Sequence, residues 1–279
     1  MRTPAQNAEL ALLLEVAGTP KPGNVDRERD FEDLRFEQFL AGAVGAQDGL
    51  RMAGDGAPVG TAFETAVAGM SDQSGGNTQF GALLLLVPLV QAASRGVLDR
   101  TSATSIVEAT TLPDAASFYR AFEHVDVFVA DLPPDVDDLD VRRGADAIPA
   151  LEERGLTLYD VLAMSAPEDG VAAEWVNGFE RAFRTGERIT DDDGPVADRA
   201  ARAFLELLAA EPDTFVAKKH DQETAEWVRE RAADLLDAER EAVAAFGDEL
   251  VERGVNPGTT ADIVAASLFV ALEAHGLEL

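Results

Sequence analysis

The chain has 279 residues, 46% of them apolar, with 52 acidic against 23 basic side chains and a formal net charge of −29. That much apolar material excludes a disordered acidic polypeptide, and the charge argues against nucleic acid or an anionic membrane surface as partner. There is no cysteine, which rules out disulfides, thiolate metal sites and a cysteine nucleophile.

Acidic residues are spread along the whole chain, which fits a protein adapted to a saline cytosol, a halophile-type member of its class. At molar salt the screening length falls to roughly 3 Å, so carboxylates on the surface repel one another little. The first residues lack a signal-peptide pattern, and the longest apolar run, 82–90, is too short to span a bilayer. A cytoplasmic location is expected. Self-association is left open.

Helical periodicity dominates. Residues 8–17 form the first predicted helix, with Leu10, Leu13, Leu14 and Ala17 on one face. Gly18 ends it, and Pro20 and Pro22 stiffen the chain around Lys21. Gly23 there lets a backbone approach a ligand closely. Residues 36–52 and 61–70 are the next predicted helices. A polar loop over 71–76, with Gly75 and Gly76, leads into an apolar helix opened by Asn77 or Thr78 and running to about residue 94. Free amides at such a junction suit a phosphate or a polar sugar, although taken alone the loop is better explained as an ordinary N-cap by Asn77 or Thr78 with glycines before it.

Further helices are predicted over 103–109, 113–123, 158–164, 170–184, 195–210, 222–236, 239–253 and 260–275, the last capped by Thr260. Residues 125–129 read as a short β-type run without a partner. The acidic, proline-containing segment 131–149 reads as a loop excursion. The expected architecture is all-α: a single helical domain over 1–279, with motif loops at helix termini forming one cleft.

Lysine occurs only as Lys21, Lys218 and Lys219. A compact ammonium suits phosphate, so a phosphorylated substrate is the first expectation. Lys218, Lys219 and His220 follow Asp213 and Thr214 in the one dense cationic cluster. Asn256-Pro257-Gly258-Thr259-Thr260-Ala261-Asp262 brings a carboxylate into the first turn of the last helix, where it either complements the helix dipole or serves as a ligand.

Together these segments resemble the triphosphoribosyl-dephospho-CoA synthase family. The resemblance rests on Glu15-Val16-Ala17-Gly18-Thr19-Pro20-Lys21-Pro22-Gly23-Asn24-Val25-Asp26, then Gly75-Gly76-Asn77-Thr78-Gln79-Phe80-Gly81, Asp213-Thr214 and Pro257-Gly258-Thr259-Thr260-Ala261-Asp262, in this order. The first block is specific; the others persuade by their order. Where bacterial members tend to carry His-Lys after the Asn-Thr pair, this chain has Gln79 and Phe80.

The resemblance implies an all-α enzyme that moves the 5-triphosphoribosyl group of ATP to the 2′-hydroxyl of 3′-dephospho-CoA, releasing adenine. Roles are expected accordingly. Lys21, Lys218 and Lys219, with His220, hold phosphates. Glu15, Asp26 and Asp262 bind Mg²⁺ or act on the hydroxyl. Asn77, Thr78 and Asp213 position ribose, and Gly23, Gly75, Gly76, Thr214, Gly258 and Thr259 complete the substrate site. One alternative keeps the ATP site but uses another acceptor or hydrolyses the nucleotide. A second is a helical interaction protein without nucleotide binding.

Overall fold

The computed structural model describes residues 2–130 and 134–279. Sixteen α-helices and two 3-10 segments account for most of them, and no strand occurs among the described residues, only an isolated bridge between Asp26 and Arg29. The fold is all-α, as the periodicity predicts. The β-type run at 125–129 is irregular: a lone strand has nothing to pair its backbone groups with.

Two apolar helices make the axis of the molecule. α5 (Phe80–Ser94) is buried continuously from Ala82 to Ala92, and α16 (Gly258–Glu273) from Ile263 to Leu272. They pack on each other. Helices apolar all round belong in the centre, because no face suits water. Around α16 lie α1 (Pro4–Ala17), α11 (Glu180–Asp191) and α12 (Val196–Ala210); around α5 lie α3 (Gln47–Gly54), α4 (Val59–Met70) and α6 (Arg100–Glu108).

α1 starts earlier than predicted. Thr3 and Gln6 form a reciprocal capping box there, with Pro4 at the first helical position. The predicted helix 36–52 divides into α2 (Phe36–Gly45) and α3. At that corner Gly45 meets Gly69 of α4, and a Cβ on either would lie 2.1 Å from the other's carbonyl oxygen. The predicted helix 170–184 also divides, into α10 (Gly170–Val176) and α11. Gly178 and Phe179 both take positive φ at the break, 64° and 55°. Thr260 does not cap α16, which begins two residues earlier.

α5 contains Pro88, which has no N–H for the Leu84 carbonyl four residues back. The buried Trp175 of α10 donates its Nε1–H to that carbonyl at 3.2 Å. The first residue of α5, Phe80, stands in an aromatic cluster with Phe63 of α4 and with Phe118 and Phe122 in and just beyond α7 (Leu112–Ala121), at centroid distances of 4.8–6.3 Å. That cluster anchors the N-terminus of α5.

Within the predicted excursion, residues 131–133 lie outside the described residues. The rest is packed: 3-10 segments at Pro134–Leu139 and Val141–Ala147 lead to α8 (Ile148–Arg154). Leu139 and Ala147 are buried, and Tyr119 donates its hydroxyl to the Leu139 carbonyl at 2.7 Å. Burial, with Asp140 nearby, lifts the Tyr119 phenol to about 12.

Candidate functional site

The four motif segments meet at the first turn of α16. Asp213 is the hinge pin. Its Oδ1 accepts the Phe215 and Val216 amides, at 2.9 and 3.0 Å, and so caps the short helix α13 (Thr214–Lys219). Its Oδ2 accepts the Thr260 amide and hydroxyl, at 2.8 and 2.7 Å. One buried carboxylate thus satisfies orphan donors of two helices. Burial raises its pKa, and these hydrogen bonds oppose the rise. Thr214 Oγ1 accepts the Gly170 amide at 2.9 Å and lies 3.0 Å from Thr259 Oγ1. Asp169 caps α10 through the Val171 and Ala172 amides and pairs with Lys218. His220 Nε2 lies 3.2 Å from the Gly254 carbonyl, and Lys219 is exposed over the Phe215 ring.

The first block folds back on itself. Lys21 is fully buried; it pairs with Glu15 of α1 and donates to Asn24 Oδ1 at 3.0 Å. Asn24 reaches across to Asn256 Oδ1 at 2.9 Å. Gly23 takes φ 70°, and a Cβ there would lie 2.6 Å from the Val255 carbonyl, so the block is pressed against the turn before α16. Asp26 is fully buried and accepts from the Lys21 amide at 3.0 Å, the Glu28 amide at 2.8 Å and Arg29 Nη1 at 3.3 Å. Burial raises the Glu15 pKa, Lys21 opposes the rise, and Asp26 adds to it.

The second block contributes the N-terminus of α5. α5 begins at Phe80, later than Asn77 or Thr78 would open it, and Gln79 holds the cap position without a side-chain cap bond; Asn77 Oδ1 accepts the Phe80 amide at 3.0 Å from the turn before. Gly75 is wedged against Gln38 of α2, and Gly76 is exposed with φ 66°. Two residues into α5, Gly81 lies against Asp262: a Cβ there would be 2.1 Å from Oδ2. Asp262 is a partly exposed residue whose carboxyl group points inward. Burial drives that carboxyl well above its ordinary range, Glu15 pushes the same way, the Ala82 amide opposes, and Asp213 and Asp169 add further upward pressure. The order of blocks along the chain has become one junction in space.

The family model for ATP:dephospho-CoA triphosphoribosyl transferase (CitG) matches residues 1–278. The chain belongs to this family. Among its relatives, a probable 2-(5″-triphosphoribosyl)-3′-dephosphocoenzyme-A synthase of Albidiferax ferrireducens is 25% identical over 95% of this chain and 88% of the relative. A crystal structure from Archaeoglobus fulgidus, provisionally assigned as a triphosphoribosyl-dephospho-CoA synthase, is similar with a TM-score of 0.70 and 26% identity, over 86% of this chain and 100% of that one. The activity of the family is triphosphoribosyl transfer from ATP to dephospho-CoA, so the chain is a transferase with ATP as substrate.

For this transferase, two expected groupings come apart. Glu15, Asp26 and Asp262 do not form a common metal-ligand set; among the described residues no group of three or more His, Asp or Glu side chains is placed to hold a metal ion. Glu15 is committed to Lys21, and Asp26 to Arg29 and backbone amides. The three lysines divide as well. Lys218 is partly exposed and Lys219 exposed, whereas Lys21 faces the interior.

Sequence reasoning also missed two residues beside the site. Arg181 bonds Glu174 Oε1 at 2.8 Å, Glu211 Oε1 at 2.7 Å and the Gly170 carbonyl at 2.5 Å. It lines a small recess of about 10 Å³ with Asp213, Thr214, Thr259 and Thr260. Glu174, fully buried, accepts the Ala182 amide at 3.0 Å and so caps α11 from α10. The glycine at 178, inside a predicted helix, was the available sign that the chain turns there and returns Arg181 to Glu174.

Proposed function

We propose that the 2′-hydroxyl oxygen of 3′-dephospho-CoA attacks C1′ of the ATP ribose at this junction, with the C1′–N9 bond breaking and adenine leaving. What supports the reading is the convergence of all four blocks on Asp262. Burial and the charge of Glu15 raise the proton affinity of its carboxyl group well above that of an ordinary aspartate, which suits a base for the attacking hydroxyl. That proton ends on the departing adenine, so the sum is neutral. Positive charge developing on the ribose is stabilised by the same carboxylates.

The triphosphate runs towards the cationic side of the junction, where Lys218, Lys219 and Arg181 stand with the Thr214 and Thr259 hydroxyls. The recess there, about 10 Å³, has room for roughly one water molecule, so the phosphates lie over its rim and not inside it. Lys21 acts from within, by holding Glu15 charged next to Asp262. Asn77 and Thr78 border the ribose. Mg²⁺ enters as part of MgATP, since the described residues offer no preformed cage. A cytosol rich in salt is the setting that the net charge supports.

The test follows adenine and the triphosphoribosyl adduct by mass spectrometry, with MgATP and 3′-dephospho-CoA in molar KCl. Both products are expected together. Adenine without adduct would replace the acceptor; neither product, with ATP still bound, would end the transfer reading.

A further inference from the structure

Buried polar side chains in folded proteins nearly always have a partner. Among the described residues four buried side-chain atoms have none: Thr19 Oγ1, Thr78 Oγ1, and both Nε2 and Oε1 of Gln79. All four belong to the first two motif blocks. Gln79 is 3% exposed, so the donor and the acceptor of its amide are both withdrawn from water and both unpaired. Such an arrangement is costly to a fold and calls for a reason.

The position is built. Phe80, the next residue, is fixed in its aromatic cluster, with its ring 5.0 Å from Phe63 and 4.8 Å from Phe122. Gly42 of α2 faces the amide: a Cβ there would lie 2.5 Å from Thr78 Oγ1 and 3.1 Å from Gln79 Oε1. Two residues further on, Gly81 touches the Asp262 carboxylate. The amide therefore stands at the foot of the glycine-rich loop and within the span of a nucleotide from Asp262.

The chemistry of the amide narrows its ligand. A phosphate offers only acceptors and would leave Oε1 orphaned. A cation would satisfy Oε1 and leave Nε2 orphaned. A ligand edge with a donor and an acceptor side by side satisfies both, and the 6-amino group and N7 of adenine are such an edge. We infer that the Gln79 carboxamide reads an adenine ring, Oε1 accepting from the 6-amino group and Nε2 donating to N7, with Thr78 Oγ1 available to the same ligand. The inference rests on the transferase reading, in which ATP and 3′-dephospho-CoA each carry adenine.

The test is equilibrium binding by calorimetry in molar KCl, of ATP alone and of 3′-dephospho-CoA alone, to wild type and Gln79→Met. Affinity falls about 10- to 100-fold for the ligand whose adenine is read, the range of one bidentate base contact; the arm that falls names the source. If ATP is that ligand, wild type prefers it to ITP, which replaces the 6-amino donor with a carbonyl, and the variant does not. Gln79→Met also keeps or raises Tm, because it removes unpaired polar atoms, whereas a structural glutamine would lower it. Gly42→Ala, whose Cβ crowds the same amide, gives the same loss by an independent route. Unchanged affinity for both ligands in the folded variants overturns the inference. Wild type that discriminates ATP from ITP yet forms no adduct would sink the transfer reading and leave this one standing.

Discussion

Asp262 and Glu15 show how two carboxyl groups acquire different duties. Glu15 is neutralised by Lys21 inside the protein; among the described residues Asp262 has no cationic partner, and it carries the repulsion of its neighbours. Because the fold holds the Asp262 proton more tightly than the unfolded chain does, its favourable contribution is complete below the ordinary value of 3.8 and is lost as pH rises through the raised value. Asp262→Asn removes that loss. As pH is taken from about 4 to about 8, the variant should gain in Tm relative to wild type while its turnover falls about 10²- to 10⁴-fold, the usual contribution of a proton-transfer group. A variant that stays active, or that gains nothing with pH, would remove Asp262 from its role. Glu15→Gln has the opposite effect on stability. It leaves a buried ammonium without its counter-charge, at a cost of about 3–5 kcal/mol. Combining it with Lys21→Met should return much of that loss in urea unfolding; no recovery would mean that the pair is not the source.

At the scale of elements, helix ends decide the site. α13 and α16 share one capping carboxylate, α10 is capped by Asp169, and α11 by Glu174 of the preceding helix. Each cap joins two elements, so a change at the junction moves whole helices. α5 uses the same logic in mid-helix, where Trp175 replaces the hydrogen bond that Pro88 cannot make. Trp175→Phe keeps an aromatic ring in the core and orphans the Leu84 carbonyl. The expected cost is about 1–3 kcal/mol, read by calorimetry; a paired variant Pro88→Ala with Trp175→Phe, which restores the backbone donor, should recover part of it. If Trp175→Phe alone is neutral, the indole contact does not support α5.

For the whole molecule, the net charge of −29 sets the conditions in which the fold is stable. Many surface ion pairs are made by arginine on exposed positions, such as Arg51–Asp55 and Arg100–Glu180, and pairs of this kind contribute little. General repulsion is the larger effect, and salt screens it. Raising KCl from about 0.1 M to about 2 M should raise Tm on the order of 10 °C, equivalent to roughly 3–5 kcal/mol for a chain of this size. A flat or falling Tm would mean that repulsion does not limit stability. No helix among the described residues is long and apolar enough to cross a membrane.

The all-α class, the apolar character of α5 and the four blocks were legible in the sequence, because periodicity and glycine, proline and capping residues act over a few positions. Glu15, Lys21, Asp213 and Asp262 could be named as candidates for the same reason. Their partners could not. That Lys21 turns inward to Glu15, that Asp26 serves its own loop, that Arg181 returns to Glu174, and that Gln79 is buried with its amide unpaired depend on contacts between different elements. The Trp175 indole reaches a carbonyl 91 positions away, and Thr260 binds a carboxylate 47 positions earlier. The sequence by itself determined which groups could do chemistry. Only the packing of α16 against α1 and α5 decided which of them share a site and which are charged there, because burial and neighbouring charges exist only once the chain has closed on itself.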